Sequence, residues 1–563
     1  MMMYFAVIFV FLHFALFIPG YALITRTGLF KKSPGLEVCF AYVLGIVAPA
    51  LFGLIGYALR VSWDSLFILS WLWVIIGSIF FLKYKLYKIF TTHAAAFLGM
   101  ILLSIASMCF IFLTYNGPIK YTPDPQPKTS SNYSSFVVKV LNVSQTQAND
   151  NSIPYRQAQF FLNRSDPGRD SFIDEWGVHF FQRTPLMGAA TAGYLNMLGD
   201  KVPIAYIWDR TSKDPGNTYV KFQILAIILN SLFVFPAFTL ITKLFDKKTA
   251  IITNAFIFTS PFFIYSAFYS WPKSLAAFFI LLMWLLLLEK GGKNTLLAGA
   301  TVGLAYLSHD LALLYLVPAC LYLLYKRRWQ DMFVFGGIGF LFMIPWILTS
   351  SLIYSKPSTF MYYPFSVDGI PQISQKGEIF KKFIAAGPIK VLGIKVQNTL
   401  YLLSPYQLFT SEGGQDLSRR LWALSLFSIP GATGLGLMLA SFLGFLRAWR
   451  KPEIWLIAIF PIVLSTIAIG WPKGLGALHF AQPAVLVMTA LGVALLLKLK
   501  NVAWLMAAYI VNLLQLILFL LYSYDFNVNF LSGFTTPVLL LTLLLVATYG
   551  GLLVFRNYAE KKI

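Results

Sequence analysis

Long apolar runs of about 16 to 24 residues recur along the chain, the length needed to cross a hydrocarbon core of about 30 Å. The pattern predicts helical spans at 3–24, 38–59, 65–82, 95–115, 221–242, 249–268, 274–288, 295–308, 310–325, 332–351, 421–445, 454–470, 480–497, 502–522 and 532–554. Two polar segments interrupt them, at about 116–220 and 352–420. The first carries FIDEWGVHFFQRTPLMGAA, where an interfacial helix is expected from Val178 to Leu198, started or kinked at Thr184-Pro185. The second predicts two short amphipathic stretches near 377–386 and 389–403.

The fold class expected is therefore an all-α polytopic membrane protein with about 13–15 transmembrane helices and two long loops bearing interfacial helices. Composition agrees: 58% of residues are hydrophobic, 12% are charged and the mean hydropathy is +0.71, which excludes an ordinary soluble domain. Met1–Thr25 lacks a basic start and a small-residue cleavage site, so it reads as the first span rather than a signal peptide. The three cysteines all fall in apolar runs, which argues against a disulfide framework or a zinc site.

The net charge of +22 is placed by topology, not by nucleic acid. Basic clusters at Arg26/Lys31/Lys32, Lys83/Lys85/Lys88, Lys243/Lys247/Lys248, Lys290/Lys293, Lys326/Arg327/Arg328, Arg447/Arg450/Lys451 and Lys498/Lys500 occupy every second short loop. By the positive-inside rule the N-terminus is outside, the C-terminus is cytoplasmic and both long loops face outward. A plasma (inner) membrane location is expected.

Outer-face chemistry then has a limited cast. The first loop holds Asp124, Asp150, Asp166, Asp170, Asp174, Glu175, Asp200, Asp209 and Asp214, any of which could serve as a general base. Asp150 precedes a Pro-Tyr and a helix, and Asp174-Glu175 directly precedes the interfacial segment. Outer cations comprise Arg183, Lys273, His309, Lys473 and His479, a set suited to phosphate. Trp-Pro-Lys occurs twice, in SWPKSLAAF and GWPKGLGAL. The plain reading of either copy is an aromatic anchor with a snorkelling lysine. There is no phosphate loop GxxxxGK[ST], HExxH, CxxC or GxSxG.

Four stretches resemble the GT-C class of integral-membrane glycosyltransferases, a superfamily that includes the dolichyl-phosphate-mannose-protein mannosyltransferases and aminoarabinose transferases. They are ANDNSIPYRQAQFFL, HFFQRTPLMGAATAGYLNMLG, the run from FDKKTAIITNAF through SWPKSLAAF to LYKRR, and GLGALHFAQPAVLVMTALGVALLL. Thr184 stands where a first Pro is usual and Phe480 where Tyr is usual. The resemblance, over about 95–500, implies a core of 95–351 with the catalytic loop 116–220, a second outer loop 352–420 and C-terminal helices 421–563. Spans 1–94 are expected as an N-terminal extension.

It further implies transfer of a sugar from a polyprenyl-phosphate carrier to a glycan, lipid or protein of the cell envelope, with inversion. Asp150 would be the base and Asp174 or Glu175 the second candidate. Tyr155, Arg156, Arg183, Lys273, His309, Lys473 and His479 would contact substrate or phosphate. Mg2+ or Mn2+ is a possible addition at the acidic pairs, and no nucleic-acid partner is expected. The rivals are an O-antigen ligase or polymerase-like enzyme and a lipid-linked-glycan transporter or flippase.

Overall fold

The computed structural model describes residues 2–31, 33–114, 153–165, 180–200, 218–289, 291–354, 358–369, 376–409, 417–448, 450–472, 478, 481–500 and 502–523. Among them the regular structure is helical, without strands. Six helices are long and apolar enough to cross a membrane: Met3–Thr27, Pro34–Ala58, Trp63–Lys83, Thr218–Leu244, Trp329–Ile353 and Val502–Phe519. A bent pair, Lys247–Ile257 with Pro261–Phe268, counts as a seventh if it is one span. Six shorter apolar helices accompany these, and the span expected at 532–554 lies outside the described residues.

Several predicted spans are broken into shorter segments, among them 249–268 and 421–445. The run 249–268 turns by 69° at Phe258–Ser260, just ahead of Pro261. Proline cannot donate into the preceding turn, so the helix breaks there. The run 421–445 is three helices, Leu417–Phe427, Ile429–Thr433 and Met438–Ala448. Gly434 separates the last two with φ of +96, a left-handed conformation that glycine adopts without strain.

The chain forms two compact units, Met1–Pro236 with Ala267–Leu275, and Ala237–Ser266 with Ala276–Ile563. The N-terminal helices are part of the first, and small residues bring backbones together there. A Cβ on Gly193 would lie 2.2 Å from the Pro49 carbonyl oxygen, and one on Gly53 would lie 2.4 Å from that of Ala189. Tyr194 seals this seam by donating its hydroxyl to the Gly45 carbonyl at 2.8 Å. Trp71 donates to the Met197 carbonyl and Asn196 to that of Trp63. Helix Leu186–Met197, capped at Pro185, is thus wholly buried by protein and begins later than the expected Val178.

In the second unit, Gly292–Ser308 packs on Trp329–Leu348 through Gly299, Gly303 and Gly339. Arg328 ties their N-terminal ends, donating to Asp331, the Leu287 carbonyl and Thr295. Large apolar side chains such as Phe333, Phe340 and Leu341 remain exposed along Trp329–Leu348, as on a helix that faces lipid. The second long loop forms helix Lys376–Leu403, which breaks at Gly387 (φ 73) ahead of Pro388. Its later half exposes Ile389, Leu392, Val396 and Leu400, the stripe of an amphipathic surface helix.

Candidate active site

Two of the expected cations meet on one tryptophan. The Arg183 guanidinium carbon lies 5.9 Å from the Trp271 ring centroid, and Lys273 Nζ lies 4.4 Å from it. Both are within the range at which a cation is drawn to an indole. Two positive charges on one ring raise the local potential, the condition for holding an anion such as phosphate.

The sequence positions Arg183 from both sides. Phe180–Gln182 form a 3-10 turn ahead of it, and Pro185 starts the next helix two residues on. The Arg183 carbonyl accepts a hydrogen bond from Gln157 Nε2 at 3.2 Å. Gln157 sits in helix Ile153–Leu162, every residue of which is buried. That helix is fixed by rings: Phe160 stacks on Phe180 at 4.1 Å and Phe161 meets it edge-on at 5.2 Å. Close approach needs Gly188, because a Cβ there would stand 2.5 Å from Gln157 Cβ.

Tyr155 and Arg156 belong to the same helix and are buried. Tyr155 packs against Tyr219 at 5.0 Å and Phe222 at 5.4 Å, so its ring acts as a wall of the first unit. Lys273 opens helix Lys273–Leu288, where helix geometry also favours an anion. Asp200 is bound by Lys221 Nζ at 2.8 and 3.0 Å. Both carboxylate oxygens are thus engaged in a single ion pair.

His309 lies in the second unit. Its Nδ1 accepts from the Leu311 amide at 3.3 Å, which assigns the proton of the neutral ring to Nε2. Asp310 Oδ1 is 3.6 Å from Nδ1, too far for a hydrogen bond, while Asp310 Oδ2 accepts from the Ser358 hydroxyl. Asp150, Asp174, Glu175, Lys473 and His479 lie outside the described residues. The structure therefore unites Arg183, Lys273, Tyr155 and Arg156 in one unit and assigns His309 to the other. Among the described residues no group of three or more His, Cys, Asp or Glu could hold a metal ion.

Sequence reasoning passed over Asn230, Asn398 and Lys395. Asn230 donates Nδ2 to the carbonyls of Tyr269 (3.1 Å) and Trp271 (3.2 Å). Its Oδ1 accepts from the Leu275 amide at 3.3 Å. Asn398 donates to the carbonyls of Ile469 (3.3 Å) and Trp471 (2.9 Å). Lys395 donates to the carbonyls of Ile467, Ile469 and Pro364. Burial pushes its ammonium down to about 8, against the three carbonyls that favour its charge. An amide inside an apolar run was the one available signal for Asn230.

Fold and site together define a helical, multi-pass membrane protein in which a buried arginine and a half-buried lysine share one tryptophan. Residues 211–349 match the family of dolichyl-phosphate-mannose-protein mannosyltransferases, which places the resemblance to GT-C glycosyltransferases on that segment, Lys273 and His309 included. No curated protein matches the chain. Similar solved structures include two of oligosaccharyltransferase from Archaeoglobus fulgidus. One is a complex with Zn and sulfate (16% identity, 75% of this chain, 53% of that chain, TM-score 0.39). The other, of AglB, is a complex with an inhibitory peptide and a dolichol-phosphate (15% identity, 83% of this chain, 56% of that chain, TM-score 0.38). The chain spans about half the length of these structures.

Proposed function

We propose that the protein is a GT-C type glycosyltransferase that moves a sugar from a polyprenyl-phosphate carrier to an acceptor on the outer face of the membrane. The observation that carries this reading is the shared placement of Arg183 and Lys273 on Trp271. In the reaction, the acceptor oxygen attacks the anomeric carbon and the bond to the phosphate oxygen breaks, with inversion. A phosphodiester with one negative charge becomes a polyprenyl monophosphate approaching two. Fixed cations favour that change because their attraction grows along the reaction path.

The base is assigned to Asp150, with Asp174 or Glu175 as the group that orients or deprotonates the acceptor. Lys473, His479 and His309 are assigned to substrate contact, and His309 would act through Nε2. A divalent cation such as Mg2+ or Mn2+ remains part of the proposal only through the acidic pair Asp174-Glu175. The acceptor is an envelope glycan, lipid or protein.

The test is turnover of a panel of polyprenyl-phosphate sugars by protein in lipid bilayers, with Asp150→Asn, Glu175→Gln and Arg183→Gln beside wild type. Loss of transfer in one acid variant and weaker donor use in Arg183→Gln supports the reading. Full activity in both acid variants would sink the acid assignment. A transporter reading draws on the bent pair Lys247–Ile257 and Pro261–Phe268, since broken helices are common in transporters. Donor redistribution across the bilayer without consumption would favour it.

A further inference from the structure

The two Trp-Pro-Lys turns are held in the same way. In Tyr269-Ser270-Trp271-Pro272-Lys273, one buried asparagine amide bridges the carbonyls of the tryptophan and of the residue two before it. In Ile469-Gly470-Trp471-Pro472-Lys473, another does the same. The gripping residues stand 41 residues ahead of the first tryptophan and 73 ahead of the second. Unequal spacing excludes a simple copied sequence repeat. Two separate helices supply the same amide to the same pair of carbonyls.

The chemistry explains why asparagine is suited. Carbonyls at a turn inside an apolar environment need donors, because an unmet one has given up its hydration for nothing. A carboxamide offers two N–H groups and an acceptor, so Asn230 serves two carbonyls and one of the orphan amides at the start of Lys273–Leu288. An amide in the middle of an apolar run is expensive to keep. Asn230 is wholly buried in such a run, Thr218–Leu244.

We propose that Asn230 is a positioning residue that acts through Lys273, fixing the turn so that the ammonium meets an anionic phosphate beside Trp271, and that Asn398 holds the second Trp-Pro-Lys turn in the same manner. The phosphate part rests on the proposed function, while the positioning of Lys273 does not. In the second turn the grip is reinforced by Lys395, on the same helix face as Asn398, and by the Gly470 amide donating to Tyr363.

The experiment uses the full chain in nanodiscs of neutral lipid, with polyprenyl monophosphate as the titrated probe. Asn230→Ala and Lys273→Ala should each weaken binding about tenfold, and the double variant should bind no more weakly than Lys273→Ala alone. Additive losses, or unchanged binding in Asn230→Ala while Lys273→Ala is weakened, overturn the proposal. A second readout needs no lipid: the rate at which an amine-reactive reagent modifies Lys273 across pH, followed by peptide mass spectrometry. Asn230→Ala should shift that profile and Asn398→Ala should leave it in place. An unmoved profile in Asn230→Ala overturns the positioning role. A shifted profile combined with unweakened binding by Lys273→Ala retains it and overturns the phosphate role alone. If Asn230→Ala does not fold, Asn230→Leu, close in shape, fills the same space and loses both donations.

Discussion

Gly193 offers the sharpest test of how the first unit is assembled. Its Cα faces Pro49 so closely that an added Cβ would stand 2.2 Å from the Pro49 carbonyl oxygen and 2.7 Å from its carbon. Ordinary contact begins near 3.4 Å, so Gly193→Ala must push helix Leu186–Met197 off Pro34–Ala58 by roughly 1 Å. A parallel shift of that size stretches the Tyr194–Gly45 hydrogen bond from 2.8 Å to about 3.8 Å, beyond bonding range. Overpacking costs about 1–3 kcal/mol and the stranded buried hydroxyl about 1–3 more. A net loss of about 2–4 kcal/mol is expected after partial relaxation. The control is Gly336→Ala, inside helix Trp329–Leu348, where a Cβ would meet nothing within 4 Å. It should stabilise by about 0.5–1 kcal/mol, since alanine is the better helix former. Thermal unfolding in detergent, followed by tryptophan fluorescence, compares the two. The packing argument is refuted if Gly193→Ala is as stable as Gly336→Ala.

Gly188→Val should displace Gln157 from the Arg183 carbonyl and weaken polyprenyl monophosphate binding about tenfold, read by titration in nanodiscs. Equal affinity would remove Gln157 from the positioning of Arg183. Lys221→Met leaves Asp200 nearly buried and without its ammonium, at a cost of about 3–5 kcal/mol, whereas Asp200→Asn with Lys221→Gln should cost far less. Equal losses in denaturation would contradict the pairing. For Lys395, the folded ammonium sits at about 8 against an ordinary 10.5, so burial opposes its charge at low pH. That destabilisation is complete below pH 8 and is relieved as pH rises from 8 to 10.5, where only the unfolded chain keeps the proton. Stability of the wild type should therefore rise across that window relative to Lys395→Met, and parallel pH curves would refute the assignment.

What the sequence made legible was local. Pro185 marked the start of a helix and Gly387-Pro388 marked a break, because both act through backbone torsions of their own residues. Ser260-Pro261 carried the same signal for the bend in 249–268, but hydropathy averaged over the run concealed it. Nor does hydropathy separate a helix of 16 residues from one of 25 with the same composition, so run lengths alone do not give a span count. Asp200 stood among nine equivalent acids until Lys221, 21 residues later, set it apart. Long-range partners of this kind leave no periodic trace.

The Trp-Pro-Lys turns join these two kinds of information. Their repetition was visible in the sequence, and each copy alone reads as an aromatic anchor with a snorkelling lysine. Snorkelling, however, requires only a flexible stem reaching water, and places no demand on the carbonyls behind it. Two buried asparagines on those carbonyls are a cost that a simple anchor does not need. A turn held rigidly by its own backbone fixes where its lysine stem begins, which reduces the entropy lost when the ammonium meets a charge. Arg183 is treated alike, its carbonyl held by Gln157 while its guanidinium reaches Trp271. In both cases the protein fixes the main chain from which the cation springs, Asn230 at the Trp271 carbonyl and Gln157 at that of Arg183, while the charged end lies against the Trp271 ring.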